Sequence, residues 1–194
     1  MDPDTDAEII VASLEQSEAF AVIYERHHDT IFRYVARRVG VDRAADLTAE
    51  VFLRAFRLRR RYDPDRASCR PWLYGIATNV VGDDLRRFKR QQRIYLVIAG
   101  RVPPPEDPYQ RSDEQLTAAA IGGELNRALG SLRSVDRNVF LLYAIENLTY
   151  QETADALRIP IGTVRSRLAR ARRTIRELIP DLEQRTAREN GRQP

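Results

Sequence analysis

Apolar positions recur along most of this chain at intervals of three and four, the spacing that gathers side chains on one face of an α-helix. Phe20, Ile23, Tyr24, His27, Ile31, Tyr34 and Val35 share one side of a helix that Ser17 caps, that runs to about Arg38, and that Gly40 ends. A second helix is predicted over about Asp42 to Arg60. The turn Tyr62-Asp63-Pro64-Asp65 follows, because the residue before a proline avoids helical backbone. Pro71 suits a first helical position and opens a helix from Trp72 to about Arg93. Alternating, strand-like patterning is almost absent.

The texture changes near Gly100. Residues 101–108 hold four of the ten prolines and cannot continue a helix, so residues 94–112 are predicted to be a linker. Helical patterning resumes at Asp113, pauses at Gly130-Ser131 and returns from Ser134 to Glu146. Thr149-Tyr150-Gln151-Glu152 then fits a capping box, with threonine and glutamate side chains each serving the other's amide. That helix runs to Leu157 and breaks at Arg158-Ile159-Pro160. A last long helix reaches about Ile179, and the polar residues beyond Pro180 are expected to fray.

Charge sharpens this picture. The net charge of +4 hides a strong segregation: residues 1–30 sum to −7, residues 31–100 to +9, residues 101–148 to −2 and residues 149–194 to +4. Two basic blocks flanking an acidic one fit two contacts on a single polyanion. Lys89 is the only lysine, so nearly all the positive charge is arginine; bidentate recognition of phosphate and bases accounts for that, and so does codon bias in a GC-rich genome. Cys69 is the only cysteine, which excludes an internal disulfide. The longest apolar run, Val139 to Ile145, is too short to cross a bilayer. The start, Met-Asp-Pro-Asp-Thr-Asp, has the wrong charge for a secretory signal, so a cytoplasmic protein is expected.

The segment Thr149 to Arg173 reads as a helix-turn-helix. Val164, Leu168, Ala171, Ile175 and Leu178 form a core-facing stripe on its second helix, and the opposite side carries Thr163, Arg165, Ser166, Arg167, Arg170 and Arg173. A core-packed helix lined outside with arginine and hydroxyls has the chemistry of a major-groove reader. No acid lies between Arg158 and Arg176, where a merely solvated face would mix them in. The run Leu148 to Leu157, followed by Ile159-Pro160-Ile161-Gly162-Thr163-Val164-Arg165-Ser166-Arg167-Leu168, resembles region 4 of the extracytoplasmic-function (ECF) sigma factors of RNA polymerase. That resemblance implies reading of the minus-35 promoter element, with Thr163, Arg165, Ser166, Arg167 and Arg170 as contacts.

The helix Asp46 to Phe56 carries apolar residues around too much of its circumference for one buried face, which fits either a partner surface or a helix packed on two sides. Arg59-Arg60-Arg61-Tyr62 and Trp72 to Asn79 then interleave basic and aromatic residues, as single-stranded DNA binding requires. Asn79 and Asp83 share a helix face that Arg86, Arg87 and Arg90 continue. Trp72, Tyr62 and Tyr74 fit core positions as well as stacking ones. These segments resemble sigma regions 2.2 to 2.4. Region 2.2 docks on a coiled coil of the largest polymerase subunit, which implies Asp46, Thr48, Glu50, Phe52 and Leu53 as core-polymerase contacts. Regions 2.3 and 2.4 capture the minus-10 element as the duplex opens, which implies Tyr62, Asp63, Asn79, Asp83, Arg86, Arg87 and Arg90, with the loop Asp63 to Arg70 forming part of a pocket for a flipped base. Cys69, Pro71 and Gly82 depart from the usual pattern.

The expectation is therefore an all-α protein of two small helical domains. Residues 1–17 form an acidic segment, 18–93 sigma region 2, 94–112 the proline-rich linker, 113–182 sigma region 4 and 183–194 a polar tail. The resemblance lacks region 3 and region 1.1, which points to the ECF class. It implies core RNA polymerase as partner (including its flap region for the C-terminal domain), promoter DNA in duplex and single-stranded form, an anti-sigma factor, and no membrane insertion. The alternative is a stand-alone helix-turn-helix regulator. Catalysis is not expected: no phosphate-binding glycine loop or nucleophile elbow occurs. His27-His28 point about 100° apart on a helix, with no acid or cysteine at ligand spacing, so neither metal nor cofactor is expected.

Overall fold

A computed structural model describes residues 5–66, 68–98 and 119–179. All regular structure among them is helical: α1 (Asp6–Ala12), α2 (Phe20–Val39), α3 (Val41–Leu58), α4 (Arg70–Ile98), α5 (Ala119–Ser131), α6 (Ser134–Phe140), α7 (Tyr150–Leu157) and α8 (Ile161–Leu178). The prolines at 103–105 and 108, and the tail beyond Ile179, lie outside the described residues. Residues 94–98, expected to begin the linker, instead continue α4.

Helices α1 to α4 form the first unit. The acidic N-terminal segment contains a helix that hydropathy did not announce. Thr5 caps α1 by a capping box: its Oγ accepts from the Glu8 amide at 3.3 Å, and its own amide donates to Glu8 Oε2 at 2.7 Å. Ile9 and Ile10 bury against the bundle. Gly40, at φ 83°, lets α2 stop and α3 begin at the next residue, a conformation open to glycine at little cost. Ile23, Ile31, Tyr34, Val35, Val51, Leu73, Tyr74, Val80 and Val81 are almost wholly buried at the centre. Buried Arg38 donates to Tyr34 Oη at 2.6 Å, and that hydroxyl pairs with Thr78 at 2.7 Å, so these three side chains satisfy one another inside the core.

Helices α5 to α8 form the second unit, on two small clusters. Ala128, Leu132, Ala171, Ile175 and Ile179 build one; Val139, Ala154, Val164 and Leu168 build the other. The stripe expected on the last helix holds as far as Ile175, but Leu178 is exposed and Ile179 is buried in its place. The helix ends at Leu178, and the extended Ile179 backbone turns that side chain inward. Buried Arg137 donates to the carbonyls of Leu129, Gly130 and Leu132, supplying donors that the end of α5 lacks within its own helix. From Phe140 the chain widens into a π turn over Leu141–Ile145. Between α7 and α8, Arg158 adopts the left-handed conformation (φ 52°, ψ 49°) and Pro160 stands at the cap just before α8, where the sequence predicted the break.

Candidate nucleic-acid interface

Burying Val164, Leu168, Ala171 and Ile175 fixes which side of α8 faces outward. Arg165 and Ser166 are exposed near its N-terminus, with Thr163 and Arg167 half-buried beside them. Arg165 lies over the Tyr150 ring at 5.9 Å, and Ser166 Oγ donates to the Thr163 carbonyl at 3.1 Å. Arg170 differs from the others: it donates to the buried Asp136 of α6 at 3.2 Å, an anchor within the unit.

On α4, Asn79, Arg86, Arg87 and Arg90 line one exposed face. Asp83 sits among them, held by Arg54 at 3.1 Å and Arg86 at 2.6 Å, and the Arg54 guanidinium foremost keeps its carboxyl below the usual range. Asp63 is exposed and paired with Arg66. Tyr62 is not an open surface contact. It is only 8% exposed, its ring lies 5.1 Å from that of Trp72, and its hydroxyl donates to the Arg66 carbonyl at 3.3 Å. Burial, more than neighbouring charge, pushes its phenol up to about 12.

The set expected to meet core polymerase divides in two. Asp46 and Leu53 are exposed, and Glu50 is half-buried beside Arg54. Thr48 and Phe52 face the interior, at 1% and 5% exposure, so neither is a surface contact. Helix α3 packs against both α2 and α4, and two-sided packing accounts for much of its apolar circumference.

The two units also pack directly on each other, which the sequence did not announce. Helix α7 lies across α4 at Gly75, where a Cβ would stand 2.5 Å from the Ala156 carbonyl oxygen; only glycine admits so close a crossing. Glu146, 8% exposed, is received by the first unit: Tyr74 donates to it at 2.5 Å, Arg37 pairs with it, and Arg70 donates to its carbonyl at 3.1 Å. Burial, then this carboxylate, raises the Tyr74 phenol well above its ordinary range. Arg38 adds a bond to Asn138 at 2.7 Å, and Arg66 pairs with Asp155. The result is a cleft of about 520 Å³ with Arg61, Tyr62, Asp63 and Trp72 on one wall and Gln151, Glu152 and Asp155 of α7 on the other. A glycine inside a helical pattern was the one sequence signal of this contact.

The sigma-70 region 2 family model matches residues 23–91, spanning α2 to α4, and the sigma-70 region 4 model matches residues 122–175, spanning α5 to α8. The ECF RNA polymerase sigma factor SigC of Mycobacterium tuberculosis is 35% identical over 73% of this chain and 73% of its own length. This chain belongs to the ECF group of the sigma-70 family. SigE of Mycolicibacterium smegmatis, also an ECF sigma factor, is 34% identical over 85% of the chain, although the match spans only 63% of that relative. The fold agrees with that of CnrH, solved in complex with the cytosolic domain of CnrY (TM-score 0.65, 24% identity, 92% of this chain and 99% of that one). In this sigma factor, the helix-turn-helix of region 4 is α7 and α8, and the cleft wall carrying Tyr62 and Trp72 belongs to region 2. Helix α1 precedes the span that the region 2 model matches. No helix among the described residues is long and apolar enough to cross a membrane.

Proposed function

We propose that this sigma factor joins core RNA polymerase and directs it to promoters by reading two elements at once. The observation that carries this reading is the pair of arginine-bearing faces, one on α4 of region 2 and one on α8 of region 4, each held outward by a buried stripe on its own helix. Arg165, Ser166, Thr163 and Arg167 meet the edges and phosphates of minus-35 duplex, and Arg170, on the same side of the helix, steadies it through Asp136. Asn79 and Asp83 read bases of the opened minus-10 strand while Arg86, Arg87 and Arg90 hold its backbone. Opening needs no chemistry from the protein: it follows from binding melted DNA more tightly than duplex. Asp46, Glu50 and Leu53 form the exposed part of the polymerase-docking surface.

The cleft beside Tyr62 and Trp72 is the natural seat for an extruded base, and α7 now stands over it with two carboxylates. Region 4 must swing away before that seat meets DNA, and docking on polymerase, which holds the two regions on separate promoter elements, supplies the differential affinity. An anti-sigma partner, of the kind that NepR is for RpoE of Bartonella quintana, would act in the cell by holding the regions from these sites. The direct test is association. The purified chain should co-elute with core polymerase, and the complex should lose promoter affinity steeply with salt, with a log–log slope of about −5 for six phosphate contacts. Binding of a palindromic site by the chain alone, without affinity for polymerase, would instead identify a stand-alone helix-turn-helix regulator.

A further inference from the structure

Three side chains far apart in sequence converge in region 2. Asp6 opens α1, His27 lies in the middle of α2, and Cys69 immediately precedes α4; one potential ligand atom from each lies within 4.8 Å of the others. The sequence offered His27 no partner at ligand spacing; folding supplies both. His27 Nε2 is 2.9 Å from Asp6 Oδ2, and the Cys69 amide donates to the same oxygen at 3.4 Å. Cys69 is fully buried, while the Asp6 and His27 side chains are 13% and 12% exposed. We propose that Asp6, His27 and Cys69 form a binding site for a zinc-class divalent ion, which ties α1 to α2 and to the loop leading into α4.

The donor set is the argument. One carboxylate oxygen, one imidazole nitrogen and one thiolate are the mixed ligands that a borderline ion such as Zn²⁺ takes, and hard ions such as Mg²⁺ or Ca²⁺ do not use a thiolate. Tetrahedral zinc with bonds of about 2.0–2.3 Å places its ligand atoms roughly 3.3–3.7 Å apart, so the His27–Asp6 pair at 2.9 Å must widen slightly, and no ligand pair starts more than 4.8 Å apart. The ion displaces the thiol proton to solvent, and its two positive charges are then balanced by the Asp6 carboxylate and the Cys69 thiolate, with His27 neutral. Arg26 lies 3.4 Å from the other Asp6 oxygen, Oδ1, so it orients the carboxylate without occupying the ligating atom, as outer partners of metal ligands do. The exposed edges of Asp6 and His27 leave room for water as the fourth ligand. Asp6 lies outside the span matched by the region 2 family model, so the set combines an N-terminal segment with the family fold.

The test uses the full chain, stripped of metal under reducing conditions and titrated with Co²⁺ as a spectroscopic substitute. Because Cys69 is the only cysteine, a thiolate-to-cobalt charge-transfer band can arise nowhere else. The band should saturate at one equivalent with the visible absorption of a four-coordinate ion, and Zn²⁺ should abolish it. His27→Gln and Asp6→Asn should each weaken binding at least tenfold, whereas His28→Gln, a change one residue away, should leave it unaltered. Zinc at a hundredfold excess over its dissociation constant should raise the thermal midpoint by about 5–10 °C in the wild type and not in Cys69→Ser. If Cys69→Ser does not fold, the band in Asp6→Asn and His27→Gln decides alone. Absence of a charge-transfer band in the folded wild type, or a band unchanged in both of those variants, overturns the site and leaves a hydrogen-bonded anchor for α1. None of these readouts involves polymerase or DNA, so the site stands or falls independently of the promoter reading.

Discussion

Replacing Gly75 by alanine separates the stability of region 2 from the closure of region 4 upon it. Within α4 the change is favourable, since alanine in place of a helical glycine contributes up to about 1 kcal/mol. Across the units it is not. The new methyl would lie 2.5 Å from the Ala156 carbonyl oxygen and 3.3 Å from its carbon, backbone atoms that cannot rotate aside. Helix α7 must therefore retreat by about 1 Å, and overpacking of this kind costs roughly 1–3 kcal/mol. A loss of about 2 kcal/mol shifts the open-to-closed ratio some 30-fold. Small-angle scattering should report a larger radius of gyration for Gly75→Ala, and amides of α7 should exchange faster, while the thermal transition of region 2 holds or rises. Affinity for a single-stranded minus-10 oligonucleotide should increase as the cleft is uncovered. An unchanged radius together with unchanged α7 exchange would refute the reasoning, because the two helices could not then cross as closely as they do.

Four further predictions follow from the same geometry. Glu146→Gln keeps the shape of the buried contact but removes the charge that Arg37 and Tyr74 face, so it should also open the molecule; exchange at α7 compared with wild type checks this. Gly82→Ala meets only the flexible end of Arg86, at 3.4 Å, and should raise the thermal midpoint by about 2–4 °C for each kcal/mol gained in α4, up to about 1 kcal/mol. Arg165→Ala should weaken binding to minus-35 duplex by about 1–3 kcal/mol and relax base preference at one position, measured by titration of labelled duplexes. Asp83 has a depressed folded pKa, so its contribution to stability is full above the ordinary carboxyl range and is lost as pH falls through the folded value. It is 44% exposed, so Asp83→Asn should cost less than about 1 kcal/mol near pH 7, and the difference from wild type in chemical denaturation should vanish in strong acid.

Local chemistry made much of the fold legible. The threonine–glutamate box at Thr149, the break before Pro160, the turn at Gly40 and the stripe from Val164 to Ile175 all follow from contacts within a few residues. Helix α1 carries the same signature, Thr5 with Glu8, but its run of acids masked a short amphipathic segment whose Ile9 and Ile10 need the rest of the bundle to bury them. What periodicity could not decide was which of two apolar sides of α3 faces a neighbour. Thr48 and Phe52 proved internal because α2 and α4 flank the helix, and Tyr62 proved internal because Trp72 closes over it. Apart from Gly75, contacts that depend on chain closure had no local trace. Tyr74 meets Glu146 across 72 residues, and Asp6 meets Cys69 across 63.

Run-off transcription puts the central claim to its sharpest trial. Core polymerase on fragmented genomic DNA should gain discrete start sites when this chain is added, with shared sequence near minus-35 and minus-10, and Arg165→Ala should weaken those starts. Transcripts with the same ends and the same yield whether or not the chain is present would contradict it.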